Sequence, residues 1–110
     1  MTYNEIFTKV KNYAASANLK GYNKPLAVEI AITGEGAGIF YIEAKDGVIS
    51  VEPSAHPHRD VRFTATAENF LKLAKGKLKP VPAYLKGQIR IEGSIDKAWE
   101  CKKLAEAIRG

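Results

Sequence analysis

The stretch DVRFTATAENFLKLAKGKLKPVPAYLKGQIRIEG, residues 60–93, sets the layout of the chain. Val61, Phe63 and Ala65 alternate with Arg62, Thr64 and Thr66, the period of a strand with two different faces. From Ala67 to Lys75 the apolar residues Phe70, Leu71, Leu73 and Ala74 change to helical spacing, and Gly76 supplies the C-terminal stop. Pro80 and Pro82 limit Lys77 to Lys86 to at most one more short helical turn. Gln88 to Glu92 alternates again, with Ile89 and Ile91 on one face. Two strands joined through helix permit a parallel crossover at this link.

Toward the N-terminus the alternation continues. Leu26, Val28, Ile30 and Ile32 point one way and Ala27, Glu29, Ala31 and Thr33 the other. The run Gly34 to Gly38 tolerates positive φ and returns the chain into a second strand, Ile39 to Ala44. Asp46-Gly47 is a tight-turn signal, so Val48 to Glu52 pairs back as a third strand. Pro53 to Asp60, with two prolines and two histidines, reads as an irregular connection. Ahead of the meander, Thr2 and Glu5 have the spacing of a capping box. Ile6, Val10, Tyr13, Ala14 and Ala17 fall at helical intervals, with an end expected near Asn18 to Gly21. At the other terminus Ser94 is an N-cap and Asp96 suits the positive end of a helix running to about Arg109. Ala98, Cys101, Leu104, Ala105 and Ile108 form its apolar stripe, with Trp99 toward the edge. The expectation is one α+β domain over residues 1–110, a five-stranded, mostly antiparallel sheet with one crossover and helices on one face.

Residues 60–93 also carry a resemblance. A strand with threonines comes first, then a helix with an acidic residue and Phe at Glu68-Asn69-Phe70. A Gly76-Lys77-Leu78-Lys79-Pro80 corner and a Gly87-Gln88-Ile89-Arg90-Ile91-Glu92-Gly93 strand follow, and the whole resembles the centre of sterol carrier protein 2 domains. The resemblance implies an apolar tunnel between sheet and helices holding a sterol, fatty acid, fatty acyl-CoA or phospholipid, with no catalytic residue and no cofactor. On that basis Ile30, Phe40, Ile42, Phe63, Phe70, Leu73, Leu78, Tyr84, Leu85 and Trp99 are the expected lining. Periodicity alone does not separate a lined cavity from a filled core. One departure from the animal members is that the chain reaches Gly110, just after the last helix, without their further apolar C-terminal segment, and Ile108-Arg109-Gly110 is not their peroxisomal signal. Sterol preference and peroxisomal location are therefore not expected. An exposed apolar edge near Trp99 and Tyr84, covered in a homodimer, is.

Composition agrees with a small carrier. The chain has 110 residues, 45% hydrophobic and 26% charged, enough for one core without metal or disulfide support. Cys101 is the single cysteine, and neither a signal-peptide pattern nor a bilayer-length apolar run occurs, so a cytoplasmic protein is expected. Charge is uneven. Residues 1–69 hold 7 Lys+Arg against 8 Asp+Glu, a balance of −1, whereas residues 70–110 hold 10 against 4, a balance of +6. Lys72, Lys75, Lys77, Lys79 and Lys86 are the expected contacts for an anionic head group, a membrane surface or an acidic partner; the simpler reading is a solvated face. Nucleic acid is not expected, because exposed aromatics do not alternate with the basic residues.

Other constellations have plainer readings. His56-Pro57-His58 with Asp60 lacks a third spaced ligand and reads as a loop with exposed histidines, so no metal is expected. Gly34-x-Gly36-x-Gly38 precedes a strand and reads as a hairpin turn, not a phosphate cradle. Cys101 lies in a helical stripe and reads as a core thiol. Glu29, Glu43 and Glu52 read as a solvated sheet face. The leading expectation is non-enzymatic carriage of a lipid. The alternative is an accessory domain that presents an apolar substrate to a partner enzyme.

Overall fold

The computed structural model describes residues 1–15, 22 and 24–109. The expected end of the first helix, at Asn18 to Gly21, lies outside them. In chain order the elements are α1 (Tyr3–Ala15), β1 (Leu26–Thr33), β2 (Gly38–Lys45), β3 (Val48–Glu52), β4 (Val61–Thr66), α2 (Ala67–Ala74), α3 (Pro80–Leu85), β5 (Arg90–Gly93) and α4 (Ile95–Arg109). Among the described residues no helix is long and apolar enough to cross a membrane. The capping signals act as their chemistry requires. Thr2 and Glu5 satisfy each other's backbone N–H groups at 3.1 and 3.2 Å, and Ser94 Oγ accepts from Lys97 N at 3.2 Å. Thr66, the last residue of β4, caps α2 by accepting from Asn69 N. Asp46 and Gly47 both have positive φ, as a two-residue hairpin demands.

The sheet has the order β3-β2-β1-β4-β5. Three of its pairings are antiparallel, and the parallel one joins β1 to β4, with Ile30 opposite Phe63. This corrects the expected place of the crossover, since β4 and β5 run antiparallel. The reason lies in the helical link: the Asn69 amide donates to the Gln88 carbonyl at 3.0 Å. The chain therefore re-enters the sheet beside the start of α2, at the end of β4 it left, and can only run back. The crossover is instead the segment 53–60. It leaves edge strand β3 and reaches β4 on the far side of β1, passing over β2 and β1 on the way.

One face of the sheet carries Leu26, Val28, Ile30 and Ile32, with Phe40, Val51, Val61 and Phe63 beside them, and packs against the helices. Ile6 and Val10 of α1, Phe70 of α2, Ala83 of α3, and Ala98 and Leu104 of α4 close this core. Phe40 is wholly buried and meets Tyr3, Phe7 and Phe70 edge-on at centroid distances of 5.6–6.3 Å.

The opposite face is not a plain solvated one. Glu29 is 1% exposed there, because segment 53–60 lies across it. His56 N donates to Glu29 Oε1 at 3.1 Å. Arg62 and Arg59 approach Glu29 Oε2 at 3.4 and 3.7 Å. The His56 ring stands edge-on to Tyr41, and its Nε2 lies 2.9 Å from Glu43 Oε2. Its Nδ1 accepts from His58 N, which leaves Nε2 to carry the proton toward Glu43. His56 is thus a packed strut and not an exposed loop residue, while His58 and Glu52 are exposed as expected.

An apolar cavity between sheet and helices

The helices do not close tightly on the sheet. Between the layers lies a cavity of about 630 Å³, partly open to solvent. Val28, Ile30, Ile42 and Phe63 form its floor; Val10, Tyr13 and Ala14 of α1 form one wall. Phe70, Leu73, Ala74, Leu78 and Pro80, from α2 and the corner before α3, form another, and α4 contributes Cys101, Leu104 and Ala105. The corner follows from local chemistry. Gly76 takes φ of 76° after α2, Lys77 and Leu78 both donate backbone N–H to Lys72 O, and Pro80 starts α3. Leu78 is thereby turned inward while the lysines on either side stay exposed.

Charged groups reach the cavity at two places. Lys75 and Lys79 come from the α2–α3 corner, and Lys102 and Glu106 from α4. Lys102 also lies 5.4 Å from the Trp99 ring centroid. Cys101 faces the cavity with its thiol pushed up to about 12, chiefly by burial and further by Asp60 and Glu100, so it stays protonated at neutral pH. Among the described residues no group of His, Cys, Asp and Glu is arranged to hold a metal.

Of the residues expected to line the tunnel, Ile30, Ile42, Phe63, Phe70, Leu73 and Leu78 meet around this cavity. Phe40 does not; it is packed on all sides in the core behind it. Tyr84, Leu85 and Trp99 lie outside the lining and are 44%, 75% and 48% exposed. The cause for the first two is that Ala83 takes the inward position of the six-residue α3, turning Tyr84 and Leu85 out. Among the expected head-group lysines only Lys75 and Lys79 line the cavity; Lys72 pairs with Glu68 at 3.2 Å, and Lys77 and Lys86 point elsewhere. Sequence reasoning missed the α1 wall and Lys102. Val10, Tyr13 and Ala14 share the apolar stripe of α1, and Lys102 follows Cys101 in α4, so both signals were present as helix faces.

A sheet and its helices holding open an apolar space define a class, the small α+β domains that enclose an apolar guest between two layers. The chain belongs to the SCP-2 sterol transfer family, whose family model matches residues 3–106. It is 32% identical over 74 residues to hydroxysteroid dehydrogenase-like protein 2 of Danio rerio, a match covering 66% of this chain and 18% of that protein. Its fold is similar to part of the sec-alkylsulfatase Pisa1 from Pseudomonas sp., with a TM-score of 0.73 at 18% identity, covering 84% of this chain and 15% of that one. Palmitated SCP2L2 from Aedes aegypti has the same fold over 100% of this chain and 96% of its own, with a TM-score of 0.63 at 20% identity. The chain thus spans less than a fifth of the length of the dehydrogenase-like relative.

Proposed function

We propose that this domain carries a long-chain lipid with an anionic end, a fatty acid or its CoA ester, without transforming it. The supporting observation is the cavity itself: its walls are apolar, and its cations, Lys75, Lys79 and Lys102, stand at the α2–α3 corner and on α4. Each buried methylene contributes about 0.8 kcal/mol, whereas a lysine–carboxylate contact open to water contributes about 0–1 kcal/mol. Chain length therefore sets affinity, and the three lysines orient the ligand. Carriage asks for no nucleophile, and the half-buried, protonated Cys101 thiol is a poor one. Displacement of a fluorescent fatty acid should saturate at about one site per chain. Native mass spectrometry should recover the ligand unchanged. A folded protein that binds no long-chain lipid at micromolar concentration overturns the reading.

A second reading rests on the lengths of the relatives. Both the dehydrogenase-like protein and the alkylsulfatase are far longer than this chain and are named for enzymes. In this reading the domain presents its lipid to a partner enzyme. Release of lipid to vesicles by the domain alone supports carriage; release only when an enzyme acting on that lipid is added supports presentation.

A further inference from the structure

We propose that the outward end of α3, Tyr84-Leu85, is a membrane-contact tip that lays this part of the domain against an anionic bilayer. The proposal rests on the lipid-carriage reading, and it names the surface from which lipid is taken up or delivered. Among the described residues Leu85 is the most exposed of the large apolar ones, and Tyr84 stands beside it. The tip is rigidly mounted. Ala83 is buried beneath it, the Ala83 carbonyl accepts from Gln88 N at 2.9 Å, and Lys86 N closes the helix on Pro82 O.

Along the chain, the charge on either side of the tip has one sign. From Asn69 to Ile91 the chain holds Lys72, Lys75, Lys77, Lys79, Lys86 and Arg90, and no Asp or Glu at all. Lys75, Lys77, Lys79 and Lys86 are exposed and make no ion pair with the described residues. An exposed leucine and tyrosine within a lysine field match the two layers of an anionic membrane surface. The apolar pair enters the head-group boundary and the lysines remain among the phosphates. The same charge argues against a second copy as the cover, because a two-fold contact would set this acid-free segment against itself. Location adds a reason: Leu78 and Lys79, which lead into α3, and Pro80, its first residue, line the cavity, so a docked tip holds the cavity wall at the bilayer.

The test is sedimentation with phosphatidylcholine vesicles, with and without phosphatidylserine, at low and high salt. Binding is expected only to the anionic vesicles and should weaken with salt. Leu85→Asp should lower the partition coefficient at least about tenfold. Each of Lys77→Ala and Lys86→Ala should lower it about fivefold. All three side chains are exposed and off the cavity lining, so fatty-acid displacement in vesicle-free solution should be unchanged, which separates failure of this proposal from failure of lipid carriage. Equal binding to neutral vesicles, binding by Leu85→Asp equal to that of the parent chain, or loss on Lys9→Glu/Lys11→Glu in α1 in place of Leu85→Asp overturns it. So does a dimer that dissociates on Leu85→Asp.

Discussion

Ligand removal is the most informative perturbation, because the cavity is too large to be held dry and empty. At about 24 cal/mol per Å³, a void of about 630 Å³ would cost about 15 kcal/mol, as much as the whole stability of a domain this size. The ligand-free protein must therefore hold water in the cavity or draw α2 and α3 inward, where the corner from Lys75 to Lys79 already interrupts regular structure. At about 30 Å³ for a group the size of one water, the space takes about 20 heavy atoms, enough for a long acyl chain and its carboxylate. Each methylene added to a fatty acid should tighten binding about fourfold until the cavity is filled. Ligand at about a hundredfold its dissociation constant should add about 2.7 kcal/mol and raise the Tm by about 10 °C. The assay is thermal melting across saturated fatty acids from eight to sixteen carbons, with hydrogen exchange followed over residues 70–85. If affinity is flat with chain length, or palmitate binds tightly while neither Tm nor exchange in that segment moves, the ligand lies on the surface and the reasoning fails.

Two further outcomes follow from buried groups. Glu29→Ala removes the charge beside Arg59 and Arg62 and the acceptor of the His56 backbone N–H, and should destabilise the fold by about 2 kcal/mol, less than a fully buried pair because both arginines reach solvent; a change under about 0.5 kcal/mol in urea unfolding would contradict the packing of segment 53–60. Burial raises the Cys101 thiol to about 12, and burial with Glu100, Cys101 and Asp60 raises the Tyr22 hydroxyl to about 12. Both groups keep their protons longer folded than unfolded, so their contribution is complete below about pH 9 and lost as pH climbs toward 12; Cys101 should react more slowly with a thiol reagent at pH 8 than in urea, and equal rates in the two conditions would refute its place in the cavity wall.

Alternation and turn chemistry made the elements readable because each is a local property. Val61, Phe63 and Ala65 reveal which face of β4 is apolar without any reference to its neighbours. Neighbours are another matter: a period of two says nothing about which strand lies alongside, and so the parallel pair β1–β4 and the course of segment 53–60 were not legible. Glu29 shows the same limit, since a charge in an alternating strand looks solvated until a distant segment covers it. For the cavity, floor residues such as Ile30 and Phe63 were legible through the sheet pattern and the family resemblance together. Leu85 was not, because six residues of α3 are too few turns for periodicity to fix a face. Cys101 and Ala105 were legible as an inward stripe, and only the gap between layers turns such a stripe from filler into wall.

The buried Glu29 has a consequence for how the chain reaches this state. Strands β1 to β3 are joined by short turns and can zip together early, but β4 pairs with β1 only after the chain from Gly34 to Asp60 has closed on itself, a longer search. Until it closes, one edge of β1 stands open, with unpaired backbone groups along a row of Leu, Val and Ile, a ready template for pairing with another chain. Glu29 sits in the middle of that strand on the face that segment 53–60 later covers, and until then any chain or sheet stacking on that face would have to bury its carboxylate without Arg59 and Arg62 to meet it. The carboxylate that anchors the finished sheet therefore also keeps the uncovered face of the unfinished one from stacking dry against another sheet.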